Sequence, residues 1–327
     1  MRGDCSAVMD EMSDRRLARP HRTAWPLTPL IALSVLALTH YPSAYGQQLE
    51  PRSYANAPIG LNFLIAGFVH QEGGVLLDPS VPVTDLNVKA DSGLLGYSRV
   101  LDFWGQSGTI ALVLPYASVA ASGSIDEQSR SVTRSGFGDP ALRVSVNLYG
   151  APALSLQEFR DYRQDTIVGV SLLVTAPWGR YDPTKLVNIG TNRWSFKHEV
   201  GLSKRLGNWV LEAAAGVTFF TANDEYLGAN TREQAALYAV QGHAIYNFDP
   251  RTWASIDATF YAGGRSSLNG VESDDRQQNS RWGVTLSRSL DSRNSLKLNY
   301  SNGATVRAGA NFSIVGVAWQ YRWGAGL

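Results

Sequence analysis

The sequence predicts an all-β fold: a transmembrane antiparallel up-and-down β-barrel of about 12 strands, preceded by a cleaved signal peptide. Apolar residues alternate with polar or small ones at period two, which is typical of strands with one apolar and one polar face. Short and long connections alternate along the chain, and aromatic residues cluster near strand ends. Both of these features are expected of a barrel that crosses a membrane.

Residues 1–46 have the layout of a secretory signal peptide. A stretch rich in arginine precedes an apolar run from Trp25 to Leu38, and the small residues Ala44 and Gly46 predict cleavage after Gly46. The alternative is a membrane anchor. It is disfavoured because the apolar run has 14 residues, whereas about 20 are needed to span a bilayer.

The chain after the signal peptide is predicted to have two parts. Segment 47–58 contains Pro51 and Pro58 and shows little alternation, so we expect it to cap the periplasmic opening or to thread the lumen. Residues 59–327 are predicted to form the outer-membrane β-barrel.

Twelve strands are predicted in this second part. Period-two alternation is clear in seven segments: 142–149, 166–175, 195–203, 209–220, 254–260, 295–300 and 315–323. It is weaker in five others: 60–72, 86–102, 107–122, 234–248 and 280–290. A barrel turns its apolar face to lipid. The pattern therefore predicts a lipid-facing position for Val170, Leu202, Ile256 and Leu298.

The connections predict which strand ends share a side of the membrane. Short ones fall at 103–106, 207–208, 247–250 and 291–293, and long polar ones near 73–85, 123–137, 179–193, 222–233, 263–279 and 301–310. Connection 150–165 breaks the alternation because it is long where a short one is expected, and its residues 154–163 could hold a helical turn. An even number of strands returns both termini to the periplasm.

A secreted β-sandwich is the main competing fold, since its strands also alternate. The barrel is favoured because the strands reach the ~9–11 residues needed to cross a membrane at a tilt, and because the connections alternate in length. It is also favoured by aromatic residues placed where interface girdles form. These are Trp104, Trp178, Trp194, Trp209, Phe220, Trp253, Trp282, Tyr321 and Trp323.

Composition excludes several classes of function. Lys+Arg is 29 and Asp+Glu 28, so a nucleic-acid partner attracted by bulk charge is not expected. The only cysteine is Cys5, within the signal peptide. His70, His198 and His243 lie on different strands, and no G-x-S-x-G motif occurs. We therefore predict no enzyme activity, no cofactor and no metal, although catalytic groups assembled across strands stay open as a minor alternative.

The candidate site lies on the polar face of the strands and in one loop. The charged residues expected in the lumen are Arg143, Lys197, Glu199, Glu212, Asp257 and Lys297. They would line a conducting path, or they would pair with one another and fill a narrow interior; both interpretations stay open. Connection 179–193 adds further charge and amide groups that could fold into the barrel mouth and form a constriction with Lys197 and Glu199. The candidates in that connection are Arg180, Asn188, Asn192 and Arg193.

Several motifs resemble one bacterial family, in the same order along about 51–324. They are YSRVLDFWG (97–105), LPY (114–116), GFGDP (136–140), APWGRYDP (176–183), NIGTNRWSF (188–196), GGR (263–265) and QNSRWGVTL (278–286). The chain resembles the outer-membrane transporters named for the meta-pathway of phenol degradation. The resemblance implies an outer-membrane barrel with an uptake role in the breakdown of aromatic compounds, and it supplies no catalytic residues. One departure from barrels in general is that Trp323 is followed by four more residues rather than ending the chain.

The predicted function is therefore an outer-membrane channel for passive uptake of small hydrophobic or aromatic compounds. The alternative is a non-conducting structural or adhesive barrel in the same membrane. The expected partners are the lipid bilayer, small hydrophobic or aromatic solutes and the outer-membrane assembly machinery, with no nucleic acid.

Overall fold

The computed structural model describes residues 50–76, 84–125 and 128–327. The predicted signal peptide, 1–46, lies outside the described residues. Within them, no helix is both long enough and apolar enough to cross a membrane.

Strands make up most of the described chain. They are β1 (Leu61–Leu76), β2 (Thr84–Phe103), β3 (Gln106–Ile125), β4 (Gln128–Phe137), β5 (Ala141–Tyr149), β6 (Thr166–Thr175), β7 (Ser195–Leu206), β8 (Trp209–Phe220), β9 (Asn223–Tyr226), β10 (Asn230–Gln234), β11 (Leu237–Asn247), β12 (Thr252–Gly263), β13 (Ser266–Leu268), β14 (Val271–Glu272), β15 (Gln277–Ser289), β16 (Asn294–Thr305) and β17 (Gly309–Gly324). A short 3-10 helix spans Glu158–Arg160.

The main sheet closes on itself as an antiparallel barrel. Its circular order is β1, β2, β3, β5, β6, β7, β8, β11, β12, β15, β16 and β17, and β17 pairs with β1 along the whole of both strands. Strand β4 pairs with residues 116–125 of β3, and β5 pairs with residues 108–113 of β3. The two therefore count as one neighbour of β3 in the barrel. The predicted 12-stranded barrel is thus confirmed.

Both termini of the barrel lie at one end, because Leu61 pairs with Gly324. We call this the turn end, and the opposite end the loop end. At the loop end, β9, β10, β13 and β14 form a separate four-stranded sheet. The connection 301–310, predicted to be long, is reduced to residues 306–308 because β16 and β17 extend past the expected strand ends.

The long connection 150–165 at the turn end does contain the helical turn that the sequence suggested. Ser155 and Glu158 form a reciprocal cap: the Ser155 backbone N–H donates to the Glu158 carboxylate (2.8 Å), and the Glu158 N–H donates to Ser155 Oγ (3.3 Å). Hydrogen bonds from the Ser155 hydroxyl and backbone hold the pKa of Glu158 below its ordinary value.

The outer surface is apolar around the barrel. Val170, Leu202, Ile256 and Leu298 are 36%, 45%, 69% and 45% exposed, which confirms the predicted lipid-facing set. Two residues predicted for the aromatic girdles face inward instead. Trp253 is 2% exposed because inward positions on β12 are the odd-numbered ones, and the ring of Phe220 lies under the Arg193 guanidinium.

The interior has two unlike walls. The apolar wall is formed by β1, β2, β3 and β17 and carries Phe63, Ile65, Val69, Ala90, Leu94, Val113, Ala117, Val119, Phe312 and Ile314. The polar wall is formed by β5 to β8, β11, β12, β15 and β16 and carries Arg143, Ser171, Glu199, Gln241, His243, Asp257, Asn279 and Arg281 among its buried or half-buried side chains. The prediction that the inward face is polar is correct for the polar wall. It is wrong for much of the apolar wall, where most inward side chains are apolar and Gln71, Ser92 and Ser98 are among the polar exceptions.

Candidate functional site

The chain before β1 lies inside the barrel. Glu50, Arg52, Tyr54, Asn56 and Ala57 are each between 2% and 7% exposed, and we call residues 50–57 the lumenal segment. It enters from the turn end, where the backbone N–H of residue 60 donates to the Val100 carbonyl and that of residue 59 to the Leu154 carbonyl, both at 2.9 Å. Part of the lumen is therefore occupied by the chain itself.

Tyr54 rests in a notch made by two glycines. Gly169 on β6 and Gly201 on β7 are directly opposite each other across the strand pair. A methyl group at either position would overlap the Tyr54 ring. The next residue across the sheet is Ala214 on β8, which is also small and packs beside the ring. The wall is thus shaped to accept a flat aromatic ring.

Glu199 is the centre of the charged cluster in the polar wall. Its carboxylate accepts hydrogen bonds from Tyr54 Oη (3.0 Å), Lys197 Nζ (2.8 Å), Arg143 (3.3 Å) and Gln241 Nε2 (3.0 Å). The side chain of Glu199 is 3% exposed, so this burial needs such compensation. Arg143 also forms an ion pair with Glu50 and donates to Ser171 Oγ (3.1 Å).

Arg52 ties the lumenal segment to the opposite part of the polar wall. Its backbone N–H donates to Glu212 (2.6 Å), and its guanidinium donates to Asn247 and lies 4.7 Å from the Trp253 ring. Ser203 also donates to Glu212, at 2.9 Å. Lys297 Nζ approaches the same Trp253 ring at 5.7 Å, a cation–π distance.

His243 and Asp257 form a separate buried pair on β11 and β12. His243 Nδ1 lies 2.8 Å from Asp257 Oδ1, and Asp257 also accepts from Ser255 (3.0 Å) and Thr285 (3.1 Å). Among residues 50–76, 84–125 and 128–327, no set of three or more His, Cys, Asp or Glu side chains is placed to hold a metal ion.

The six charged residues predicted for the lumen are therefore divided. The structure brings Arg143, Lys197 and Glu199 into one cluster. Glu212 accepts a hydrogen bond from the Arg52 backbone, and Lys297 contacts the same Trp253 ring as Arg52. Asp257 pairs with His243. Three of the six thus pair with one another, and the other three contact residues outside the set. Whether the charged wall lines a conducting path stays a prediction.

Loop 176–194 is anchored at the loop end by Asp139, which is 4% exposed. One carboxylate oxygen accepts from the Gly179 N–H (2.8 Å), and the other accepts from the N–H (2.8 Å) and the hydroxyl (2.6 Å) of Thr191. A side chain at Gly190 would lie 2.7 Å from the Gly179 backbone, so the two halves of the loop are in close backbone contact there. The GFGDP, APWGRYDP and NIGTNRWSF motifs thus meet at one carboxylate.

The same loop enters the barrel mouth through apolar contacts. Ile189 packs against Ala90, Ala117 and Val119, with Val187 beside it. These partners belong to the part of the apolar wall near the loop end. The loop therefore covers part of the opening on that side.

The four candidates in this loop act mostly within the loop end. Arg180 is exposed and donates to the Ser135 carbonyl (2.6 Å), and Asn192 donates to Asn223 (3.0 Å). Asn188 braces the loop by donating to the carbonyls of Asp182 and Lys185. The Asp182 carboxylate accepts from the Thr184 hydroxyl, which holds the pKa of Asp182 below its ordinary value.

Arg193 is the buried member of that group. It is 8% exposed, donates to Gln234 (2.5 Å) and lies over the Phe220 ring at 4.4 Å. These contacts join the loop to β8 and β10 at the mouth. Lys197 forms an ion pair with Glu199, and Glu199 accepts a hydrogen bond from Tyr54 of the lumenal segment. The constriction that these two residues would form with the loop stays a prediction.

Sequence reasoning missed the residues that complete the site. They are Glu50, Arg52, Tyr54, Asp139, Ser171, Gln241 and the Asp257 partner His243. Gly169 and Gly201 carry the signal for Tyr54, since glycine weakens a strand and often marks a close approach by another group.

Comparison with known proteins identifies a solved barrel of similar fold and a family. No curated protein matches the chain. Among solved structures, the COG4313 outer membrane channel from Pseudomonas putida F1 superposes with a TM-score of 0.71 at 22% identity, over 84% of this chain and 99% of that one. This likeness establishes the shared fold. With the apolar outer surface, it places the chain in the bacterial outer membrane.

More distant barrels include the KdgM porin in complex with disordered oligogalacturonate (TM-score 0.42, 9% identity, 79% and 98% covered) and the beta domain of the Bordetella autotransporter Brka (0.47, 13%, 81% and 99%). The family described as "Putative MetA-pathway of phenol degradation" matches residues 70–321. A match over most of the chain shows that this barrel belongs to that family.

Proposed function

We propose that this protein is a channel for passive uptake of small hydrophobic or aromatic solutes. The observation that carries the proposal is the two-walled lumen, in which apolar side chains on β1 to β3 and β17 face a polar wall. Leu94 and Val113 belong to the apolar wall and pack with Ala141 and Leu173. The apolar ring of a solute would pass on the side of this wall, and a polar substituent would face the polar wall.

The charge arrangement favours solutes without a net charge. In the cluster around Glu199, two cations, Arg143 and Lys197, face two carboxylates, Glu50 and Glu199. Their charges compensate one another, so the cluster offers no excess charge to concentrate an ion. Passive diffusion of such solutes needs no energy source.

The second candidate is a non-conducting barrel. The lumenal segment favours it, because buried side chains of the chain itself occupy part of the path. The two candidates differ in whether a solute crosses, and they agree in fold, membrane and need for the outer-membrane assembly machinery.

Uptake by lipid vesicles tests the proposal. Vesicles made with lipopolysaccharide, which slows the passage of apolar molecules through the membrane itself, should take up an uncharged aromatic alcohol such as benzyl alcohol when they contain the purified full-length protein. A fluorescent reporter inside should register the alcohol earlier than in vesicles of the same composition without protein. A sugar of similar size is the matched solute, since it lacks the apolar face. Equal uptake of the aromatic alcohol by protein-containing and empty vesicles would support the non-conducting barrel.

A further inference from the structure

We propose that the cradle holding Tyr54 is a binding site for phenols, occupied in this structure by the chain's own phenol side chain. The inference deepens the proposed channel function and rests on it for its physiological meaning. It starts from the fact that a tyrosine side chain is a para-substituted phenol, so its surroundings show what the wall can recognise.

The ring is recognised by shape. Gly169 and Gly201 leave space that any other residue would fill, and the pair lies across adjacent strands so that the space is flat and wide. Ala214 continues the small-residue row on β8. The Arg143 guanidinium lies 5.9 Å from the ring centroid, within reach of a cation–π contact.

The hydroxyl is recognised by a fixed acceptor. Tyr54 Oη donates to Glu199 Oε1 at 3.0 Å and lies 3.4 Å from Ser171 Oγ. Glu199 is itself held by Lys197, Arg143 and Gln241, so its oxygen keeps its position whether or not the tyrosine is present. A buried carboxylate acceptor selects a ligand that carries a proton to donate.

This geometry defines the class of ligand. A neutral phenol matches both the flat notch and the acceptor. Cyclohexanol keeps the hydroxyl but is not flat, and toluene keeps the ring but has no donor. Benzoate carries an ionised carboxylate, which only accepts hydrogen bonds, so it has no proton to donate to Glu199.

The tethered side chain competes with any free phenol. The lumenal segment is held by the Glu50–Arg143 ion pair and by the contacts of Arg52 with Glu212 and Asn247. A short tether presents its ligand at an effective concentration of about millimolar or above. A free phenol therefore binds the parent protein weakly, and removal of the Tyr54 ring should unmask the site.

Block of single-channel current in planar bilayers measures this binding. In Tyr54→Ala, added phenol should reduce the current at a concentration at least ~10-fold lower than in the parent. Cyclohexanol, toluene and benzoate should each be weaker blockers of this variant than phenol. Tyr54→Phe keeps the ring in the notch without its hydroxyl bond, so its sensitivity to phenol should fall between those of the parent and Tyr54→Ala.

Two further variants locate the effect. Gly201→Ala in the Tyr54→Ala background places a methyl group in the notch and should abolish the gain in phenol sensitivity. Gly93→Ala in the same background is the matched control, because a methyl group there meets no atom within 4 Å. Equal block of Tyr54→Ala by phenol and cyclohexanol, or unchanged phenol sensitivity in both Tyr54 variants, would overturn the site.

The result is separate from the proposed function, because phenol binding to the purified variants in detergent, measured by isothermal titration calorimetry, gives the same comparison where no current is seen. If Tyr54→Ala is selectively blocked by phenol while vesicles show no uptake of aromatic alcohol, the site stands and the uptake proposal fails. If vesicles take up the alcohol but phenol is no better a blocker than cyclohexanol, uptake stands and the site fails. Should Tyr54→Ala not fold, the comparison of Tyr54→Phe with the parent decides, and equal phenol sensitivity in those two proteins contradicts the site.

Discussion

The polar wall and the apolar wall of the lumen share the same strand geometry, yet they stabilise the barrel by different means. In the polar wall, buried charges such as Glu199 and Arg143 are compensated one by one through hydrogen bonds. In the apolar wall, residues such as Leu94 and Val113 pack against each other and against Leu173. Outside, both walls present apolar side chains to lipid.

The difference explains where sequence patterning is strong and where it is weak. Alternation between polar and apolar residues is clear only if the lumen side is polar. Three of the five weakly patterned segments, 60–72, 86–102 and 107–122, became β1, β2 and β3, which line the apolar wall. In these three strands the weak pattern accompanies an apolar lumen face, whereas the other two weak segments, 234–248 and 280–290, became β11 and β15 of the polar wall.

The largest expected effect comes from breaking the charge cluster of the polar wall. Arg143→Ala should lower the free energy of unfolding by about 3–5 kcal/mol, because it leaves two buried carboxylates, Glu50 and Glu199, short of a partner. Lys204→Ala is the control, since its ion pair with Asp165 is exposed and should contribute about 0–1 kcal/mol. Urea unfolding in lipid vesicles, followed by heat-modifiable gel mobility, measures both. Similar losses in the two variants would show that the cluster adds no more than a surface pair.

The apolar wall is tested by two neighbouring leucines. Leu94 is 6% exposed and points inward, whereas Leu95 is 50% exposed and points to lipid. Leu94→Ala should lower the free energy of unfolding by about 2–5 kcal/mol through loss of packing. Leu95→Ala should change it by less than about 1 kcal/mol, since lipid chains fill the space. The same unfolding titration compares them, and equal losses would mean that the inner face is not packed.

A third test asks whether the difference between the walls is confined to the lumen. Leu95→Arg on the apolar-wall side and Ile256→Arg on the polar-wall side should each cost about 2–4 kcal/mol, because both place a charge in lipid. Arg at Val170, Leu202 or Leu298 should act in the same way. Vesicle unfolding again gives the values. A cost for Leu95→Arg far from that for Ile256→Arg would show that the wall type reaches the outer surface.

The smallest stability effect is expected at the mouth. Arg193→Ala removes a hydrogen bond to Gln234 and a cation–π contact with Phe220, which should cost about 1–2 kcal/mol and leave the barrel folded. Because Arg193 joins the loop to β8 and β10, its loss should change single-channel conductance. Arg180→Ala is the exposed control and should leave conductance unchanged. Identical traces for the parent and both variants would exclude this loop as a filter.

Much of the fold could be predicted from the sequence, because period two and connection lengths are local signals. The inward position of Trp253 follows from the same alternation, because it shares the odd-numbered face of β12 with Ser255 and Asp257. Its contact with Arg52 could not be predicted, since Arg52 comes from the segment before the barrel. The site was predictable only in part. Arg143, Lys197 and Glu199 alternate with apolar neighbours and so reveal their face, but their partners Glu50 and Tyr54 come from a segment with no period. The anchoring role of Asp139 could likewise not be predicted, because its partner Thr191 lies far along the chain.

The pairing between β1 and β17 closes the barrel and depends on the last strand of the chain. The first and last strands of the barrel pair along their whole length, from Leu61 with Gly324 to Leu76 with Gly309. Contacts between the two ends of a chain carry the largest loop-closure entropy and form slowly. Until the last strand arrives, β1 and β16 each expose an unpaired edge that invites aggregation. Closure of the barrel therefore requires its last strand, and we expect a truncation that removes β17 to leave a sheet that cannot close.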